Sequence, residues 1–209
     1  MSEEYKTPKS RATASFIEKK SEFIGNIAPV KSEEEATAFI EEIRKQHRKA
    51  THNCYAYILR ENNTGRHSDD GEPSGTAGAP MFEVLKKEGL SDVCCVVTRY
   101  FGGILLGASG LVRAYGNGAK IAVDAAEIKV VKTARRLVLK LDYSLYGRIG
   151  ALLSRYDARI QNEDFGADVK ITLCIYEKSA GEFKEKLIDL CFGRIAIEDL
   201  GTEEFDFGK

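Results

Sequence analysis

The sequence predicts a two-domain α+β protein, on three observations. Segments with strand-like and helix-like apolar spacing follow one another along the chain. The apolar run Val93–Thr98 leads straight into a glycine-rich turn and a helix, V-V-T-R-Y-F-G-G-I-L-L-G-A-S-G-L-V-R-A-Y over Val96–Tyr115. From about Ala134 the elements take the order β-α-β-β-α-β, a ferredoxin-like arrangement. The expected domains are therefore residues 1–133 and 134–209.

Ala12–Lys19 and Glu22–Val30 read as strands joined by a tight turn, with Phe16, Phe23 and Ile27 inward. Ser32 is an N-cap, and Glu33, Glu34 and Glu35 complement the positive end of the helix dipole. Ala36, Phe39, Ile40 and Ile43 form that helix's buried stripe. It closes on the basic run Arg44-Lys45-Gln46-His47-Arg48-Lys49, read as a solvated last turn in preference to an RNA patch. His52–Leu59 is a strand, and Glu61–Pro80 a long polar loop of the kind that carries function. Pro80 suits the first turn of a helix through Lys87, which Gly89 ends. Val93–Thr98 has the composition of a strand covered on both faces. The helix Leu111–Ala126 turns Leu111, Ala114, Tyr115, Ala119, Ala122 and Val123 inward, and Lys129–Thr133 is a short strand or link. In the second unit, Leu137–Leu141, Ala158–Phe165, Val169–Tyr176 and Ile195–Leu200 are strands, with a hairpin at Gly166-Ala167. Leu145–Tyr156 and Ala180–Phe192 are helices, and an acidic tail follows Gly201.

Charged residues make up 30% of the 209 and hydrophobic residues 43%, an ordinary soluble composition. A net charge of −1 makes no overall electrostatic case for nucleic acid. Residues 1–136 hold 21 Lys and Arg against 18 Asp and Glu, while 137–209 hold 10 against 14. That asymmetry would orient the chain weakly at a polyanion. Five cysteines without C-x-x-C spacing read as reduced, buried thiols. With no apolar leader and no run of membrane-spanning length, a cytoplasmic protein without membrane contact is expected.

Asp69, Asp70 and Glu72 place three carboxylates within four residues. They suit a hard cation such as Mg²⁺, or they pair with Arg99 or Arg113 and cap local turns; the second reading is preferred, because only local spacing supports a ligand set. Cys54 beside His52, or Ser74 or Ser109 with a histidine, makes a weak catalytic case without a G-x-S-x-G elbow. The phosphate-loop and dinucleotide fingerprints are absent, and Gly107-Ala108-Ser109-Gly110 is a generic anion cradle at a helix start. No catalytic residue, metal or cofactor is expected. Arg99, Tyr100, Phe101 and Arg113 have the composition of a surface that stacks on bases and contacts phosphate, or of a protein-interaction hot spot. Equally, Tyr100 and Phe101 would pack under the turn, with Arg99 bridged to Glu72.

H-N-C-Y-A-Y, D-D-G-E-P-S-G-T-A-G-A-P-M and the Val96–Tyr115 stretch resemble the signature blocks of the Impact family, in order and correctly spaced. The resemblance spans roughly residues 10–125, and the remainder is similar to the C-terminal domain of bacterial members. Ile104 stands where many relatives have lysine, and Ala108-Ser109 where they have glycines. The RWD domain of eukaryotic members is not expected. The resemblance implies a split β-α-β first domain like domain IV of elongation factor G and like the second domain of a small-subunit ribosomal protein. It implies a second domain like domain V of elongation factor G. Eukaryotic relatives regulate translation under amino-acid starvation, by competing for the ribosome-associated activator of an initiation-factor kinase. Bacteria lack that pathway, so the implied role is binding of RNA, the ribosome or a translation-linked protein. The same fold class also hosts small-molecule kinases. The alternative is therefore a small-anion or nucleotide-binding enzyme with an acidic metal site and a glycine-rich phosphate turn. The expected contact surface comprises Arg99, Tyr100, Phe101, Gly102, Gly103 and Arg113 with Asp69, Asp70, Glu72, Ser74 and Thr76. Arg99 and Arg113 would meet phosphate or carboxylate, and Tyr100 or Phe101 would stack.

Overall fold

The structure is a computed structural model that describes residues 4–208. It is mixed α+β and divides into two compact units, Met1–Lys129 and Val130–Lys209. The first contains β1 (Glu4–Pro8), β2 (Ala12–Glu18), β3 (Ser21–Pro29), α1 (Glu33–Gln46), β4 (His52–Leu59), β5 (Thr64–Ser68), α2 (Gly78–Lys87), β6 (Val93–Tyr100) and α3 (Ala108–Ala125). Its sheet runs β2-β3-β6-β4-β5, with every neighbouring pair antiparallel. β6 thus lies between β3 and β4, the two strands that flank α1, which is the split β-α-β arrangement.

Both faces of this sheet are covered. Phe39, Ile40 and Ile43 of α1 pack on Ala28, Cys94 and Val96. Met81 and Leu85 of α2, with Leu111, Tyr115 and Ala119 of α3, pack on Phe23, Ile27, Cys95 and Val97. Every residue of β6 from Val93 to Arg99 is buried, as a strand covered twice requires. The helix starts follow local rules: the Ser32 side chain accepts the N–H of Glu35 and so caps α1.

The second unit contains β7 (Ile128–Leu141), which begins just before the division, then α4 (Tyr143–Arg155), β8 (Arg159–Phe165), β9 (Val169–Tyr176), α5 (Ala180–Leu190) and β10 (Ile195–Asp206). Its strands lie in the order β10-β7-β9-β8, all antiparallel, the ferredoxin-like topology. Leu145 and Ile149 of α4 and Phe183 and Leu187 of α5 close its core over Leu139, Ile171 and Leu173.

Four segments differ from the sequence expectation, the first being β1, a strand that the sequence reading leaves unassigned. The long polar loop contains the strand β5, whose Thr-Gly-Arg-His-Ser side chains are mostly exposed; backbone pairing with β4 forms it, so apolar alternation gives no sign of it. Residues 129–133 continue into Leu137–Leu141 as one strand of 14 residues. The acidic tail is the second half of β10, reached through a register shift between Asp199 and Thr202 at Gly201, whose φ is +91°.

Candidate functional site

The site lies where β6 ends. Antiparallel pairing sets Phe23, Arg99 and His52 directly opposite one another on three adjacent strands, so their side chains share the α2/α3 face. Tyr100, one residue on, faces α1, where its hydroxyl lies 3.0 Å from His47 Nδ1. Strand alternation therefore separates Arg99 from Tyr100, which their adjacency in sequence had grouped together.

Arg99 is only 5% exposed. Its Nη1 donates to Glu72 Oε1 at 2.6 Å, and its guanidinium carbon lies 5.5 Å and 5.4 Å from the ring centres of Phe23 and Phe101. Tyr115 of α3 donates its hydroxyl to the same Glu72 oxygen at 2.7 Å. Glu72 thereby joins the acidic loop to β6 and α3, and the two signature loops meet.

The other two carboxylates are equally committed. Asp69 accepts the N–H groups of Gly75 at 2.8 Å, Ala77 at 3.0 Å and Gly78 at 2.8 Å. It serves as the cap that Ala77, the residue at the start of α2, has no side chain to supply. Burial raises the Asp69 pKa, but these three hydrogen bonds from Gly75, Gly78 and Ala77 outweigh it and hold the group below the usual value. Asp70, at φ +44°, accepts from Arg44 Nη2 at 2.8 Å and from Asn53 N at 2.7 Å. Its backbone carbonyl accepts from His52 Nδ1 at 2.8 Å. A carbonyl only accepts, so Nδ1 carries a proton, and Nε2 lies 3.8 Å from Glu72 Oε1. Among the described residues no group of three or more His, Cys, Asp or Glu is arranged to hold a metal ion. Cys54 donates to the Asp69 carbonyl at 3.0 Å, and burial pushes its thiol up to about 12, away from nucleophile chemistry.

The glycines divide by role. A Cβ on Gly102 would lie 2.0 Å from the Lys20 carbonyl, so this glycine lets the β2–β3 turn close against the end of β6. Gly103 has φ +84° with open space around it. Thr51 Oγ1 accepts from Phe101 N and Ser21 Oγ from Gly102 N, which pins the strand end to both neighbours. Thr76 is buried and donates to the Pro73 carbonyl, while Ser74 is exposed. Arg113 is exposed and lines a different recess, of about 260 Å³, beside Lys19, Phe16 and Leu106.

Between the two loops runs a groove of about 410 Å³. Pro73, Phe101, Leu105, Leu106 and Leu111 make its apolar walls, with Thr51, His52, Glu72 and Arg99 as its polar lining. Sequence reasoning does not single out Leu105, which is 81% exposed; the available signal is an apolar pair, Ile104-Leu105, inside a glycine turn with no strand or helix to bury it. Asn53 and Arg44, which tie down Asp70, leave no such sign.

The chain matches the Impact N-terminal domain over residues 19–123 and a domain of unknown function, DUF1949, over 139–194. It is 40% identical to the IMPACT family member YvyE of Bacillus subtilis, covering 93% of this chain and 90% of the relative. It is 38% identical to the IMPACT family member YigZ of Escherichia coli, covering 89% and 92%. A crystal structure of a hypothetical protein superposes with a TM-score of 0.62 at 35% identity, covering 94% of this chain and 97% of that one. These matches carry both signature loops and run on through the second unit, and the chain belongs to the IMPACT family.

Proposed function

We propose that this protein is a non-enzymatic binding module for RNA on or near the ribosome, acting in the regulation of translation. One observation carries the reading: at the β6 end of the first sheet the carboxylates Asp69, Asp70 and Glu72 are tied inward, two of them by Arg44 and Arg99, while the cations of the surrounding turns stand open. Lys19 and Lys20 are exposed on the turn that packs on Gly102. Arg48 and Lys49 are exposed just before Thr51, whose N–H donates to the Arg99 carbonyl. Arg113 shares its recess with Lys19. Glu18 and Glu22 are exposed at the same turn and offset part of this charge. Phe101 is 46% exposed, a ring available for base stacking.

In this reading Arg113 and the lysines meet phosphate and Phe101 stacks. Gly102 and Gly103 shape the turn, and Arg99, with the loop Asp69–Thr76, holds the surface from beneath. The engaged state of the three carboxylates and the raised Cys54 thiol favour binding over catalysis. The test is co-sedimentation with ribosomes and with structured RNA at two salt concentrations. Association that falls with salt, and weakens in Arg113→Ala, is the expected outcome. No association at low salt overturns the reading, and association indifferent to salt points to a protein partner.

A further inference from the structure

We propose that the groove between the two signature loops is a binding site for a small carboxylic acid with an apolar tail. This goes beyond the RNA reading: the two share Phe101 and Arg99, but the acid would be held at the start of α3 and not by the exposed cations, and it is tested without RNA, so either can fail alone.

Two observations of different kinds converge on the groove. The first is a buried cation with unmet capacity. Arg99 lines the groove, yet among the described residues its guanidinium donates one hydrogen bond, from Nη1 to Glu72, and Nε is buried with no partner at all. A buried donor left unmet is costly, so a native structure that keeps one has a reason to. The second is the start of α3. Gly107 precedes this helix of 18 residues at φ +73° and offers no side-chain cap, and the first backbone bond runs from Leu111 N to the Gly107 carbonyl. The N–H groups of Ala108, Ser109 and Gly110 are therefore left open at the positive end of the helix dipole. Gly107, Ala108 and Leu111 line the same groove as Arg99.

The charge balance selects the anion. Glu72 already cancels the unit charge of Arg99, so the net attraction comes from the helix end, equivalent to about half an elementary charge. That suits a carboxylate monoanion held by several N–H groups and gives a phosphate dianion too little compensation. The walls select the rest of the ligand. Phe101, Leu105, Leu106, Leu111 and Pro73 offer almost nothing but carbon, and about 410 Å³ is the size of a small-molecule site. A branched aliphatic or aromatic acid would bury its tail there and exclude water from the hydrogen bonds at its head.

The experiment titrates the ¹⁵N-labelled full-length protein with 3-phenylpropanoate and follows amide and arginine side-chain resonances. Its neutral isostere 3-phenylpropanamide and inorganic phosphate are run alongside. Saturable shifts at Ala108, Ser109, Gly110 and the Arg99 Nε–H are expected. Losing one charge-assisted hydrogen bond should make the amide bind about tenfold more weakly or worse. Leu105→Asp, at a site too exposed to matter for folding, should weaken the acid by a similar factor. Arg99→Lys keeps the charge opposite Glu72 and removes the Nε donor, and should lose binding as well. Absence of saturation at millimolar acid, an equal response to the amide or to phosphate, or shifts centred elsewhere would each overturn the proposal.

Discussion

Glu72 accepts from both Arg99 Nη1 and the Tyr115 hydroxyl and so ties the acidic loop to β6 and α3. Its side chain is 4% exposed and the Arg99 side chain 6%, so this ion pair is desolvated and depends on its geometry and on the added Tyr115 hydroxyl. Arg99→Ala should therefore cost about 3–5 kcal/mol, because it strands the Glu72 carboxylate in a dry site. The pair Arg99→Met with Glu72→Gln should recover much of that loss, and urea midpoints at constant slope would check both. Asp69 gives a prediction with a definite pH sign. Its folded pKa lies below the unfolded value of about 3.9, so its contribution is full above that pH and fades as pH falls through the lower folded value. Asp69→Asn should lower stability at neutral pH by about 1 kcal/mol, the usual worth of a cap. The gap between variant and parent should then shrink in acid, as denaturation from neutral pH to below pH 3 would show. Both pairings stood among the sequence alternatives. Spacing alone could not choose them, because the choice rests on the register that puts Arg99 opposite Phe23 and His52, and on a helix start 8 residues beyond Asp69.

At the scale of elements, α3 is seated on the sheet by two glycines rather than by the apolar stripe alone. A Cβ on Gly25 of β3 would lie 2.2 Å from the Gly118 carbonyl oxygen of α3, and one on Gly118 would lie 2.8 Å from Val97 Cγ1. Backbone cannot yield as a flexible side chain does, so Gly25→Ala should lift the helix and cost about 1–3 kcal/mol or more, as overpacking does. Gly116 sits in the same helix, where an added methyl would meet nothing within 4 Å, so Gly116→Ala should instead stabilise by up to about 1 kcal/mol. Thermal unfolding of the two variants beside the parent measures both signs at once. The inward residues of α3 were legible because helical spacing is periodic. The glycine crossing was not, since it joins positions 93 residues apart through backbone proximity. β5 escaped for a related reason: a polar edge strand owes its form to hydrogen bonds with β4, and hydrophobic pattern carries no trace of those.

For the whole molecule, net charge by segment depends on where the chain is divided. Divided where the units part, residues 1–129 hold 18 Lys and Arg against 18 Asp and Glu, so the basic excess read over residues 1–136 comes from Lys132, Arg135 and Arg136 of β7. Arg135 is paired with Glu177 and Asp199 and adds little to any outward field. What distinguishes the β6 end of the first sheet is how its charges are spent, with three acids turned inward and the cations of the surrounding turns left open. The RNA reading then makes a prediction about slope as well as affinity. Each phosphate contact contributes roughly 0.7–0.9 to the slope of log affinity against log salt, so the triple variant Lys19→Ala, Arg48→Ala, Arg113→Ala should flatten that slope by about 2–3. Lys86→Ala with Lys87→Ala removes two cations from the last turn of α2, which leads to the opposite end of β6, and should leave the slope unchanged. Ribosome co-sedimentation across a salt series separates the cases. Equal flattening by both variants would mean diffuse attraction to a polyanion, and flattening confined to the triple variant would locate the contact at the end of the sheet where the two signature loops meet.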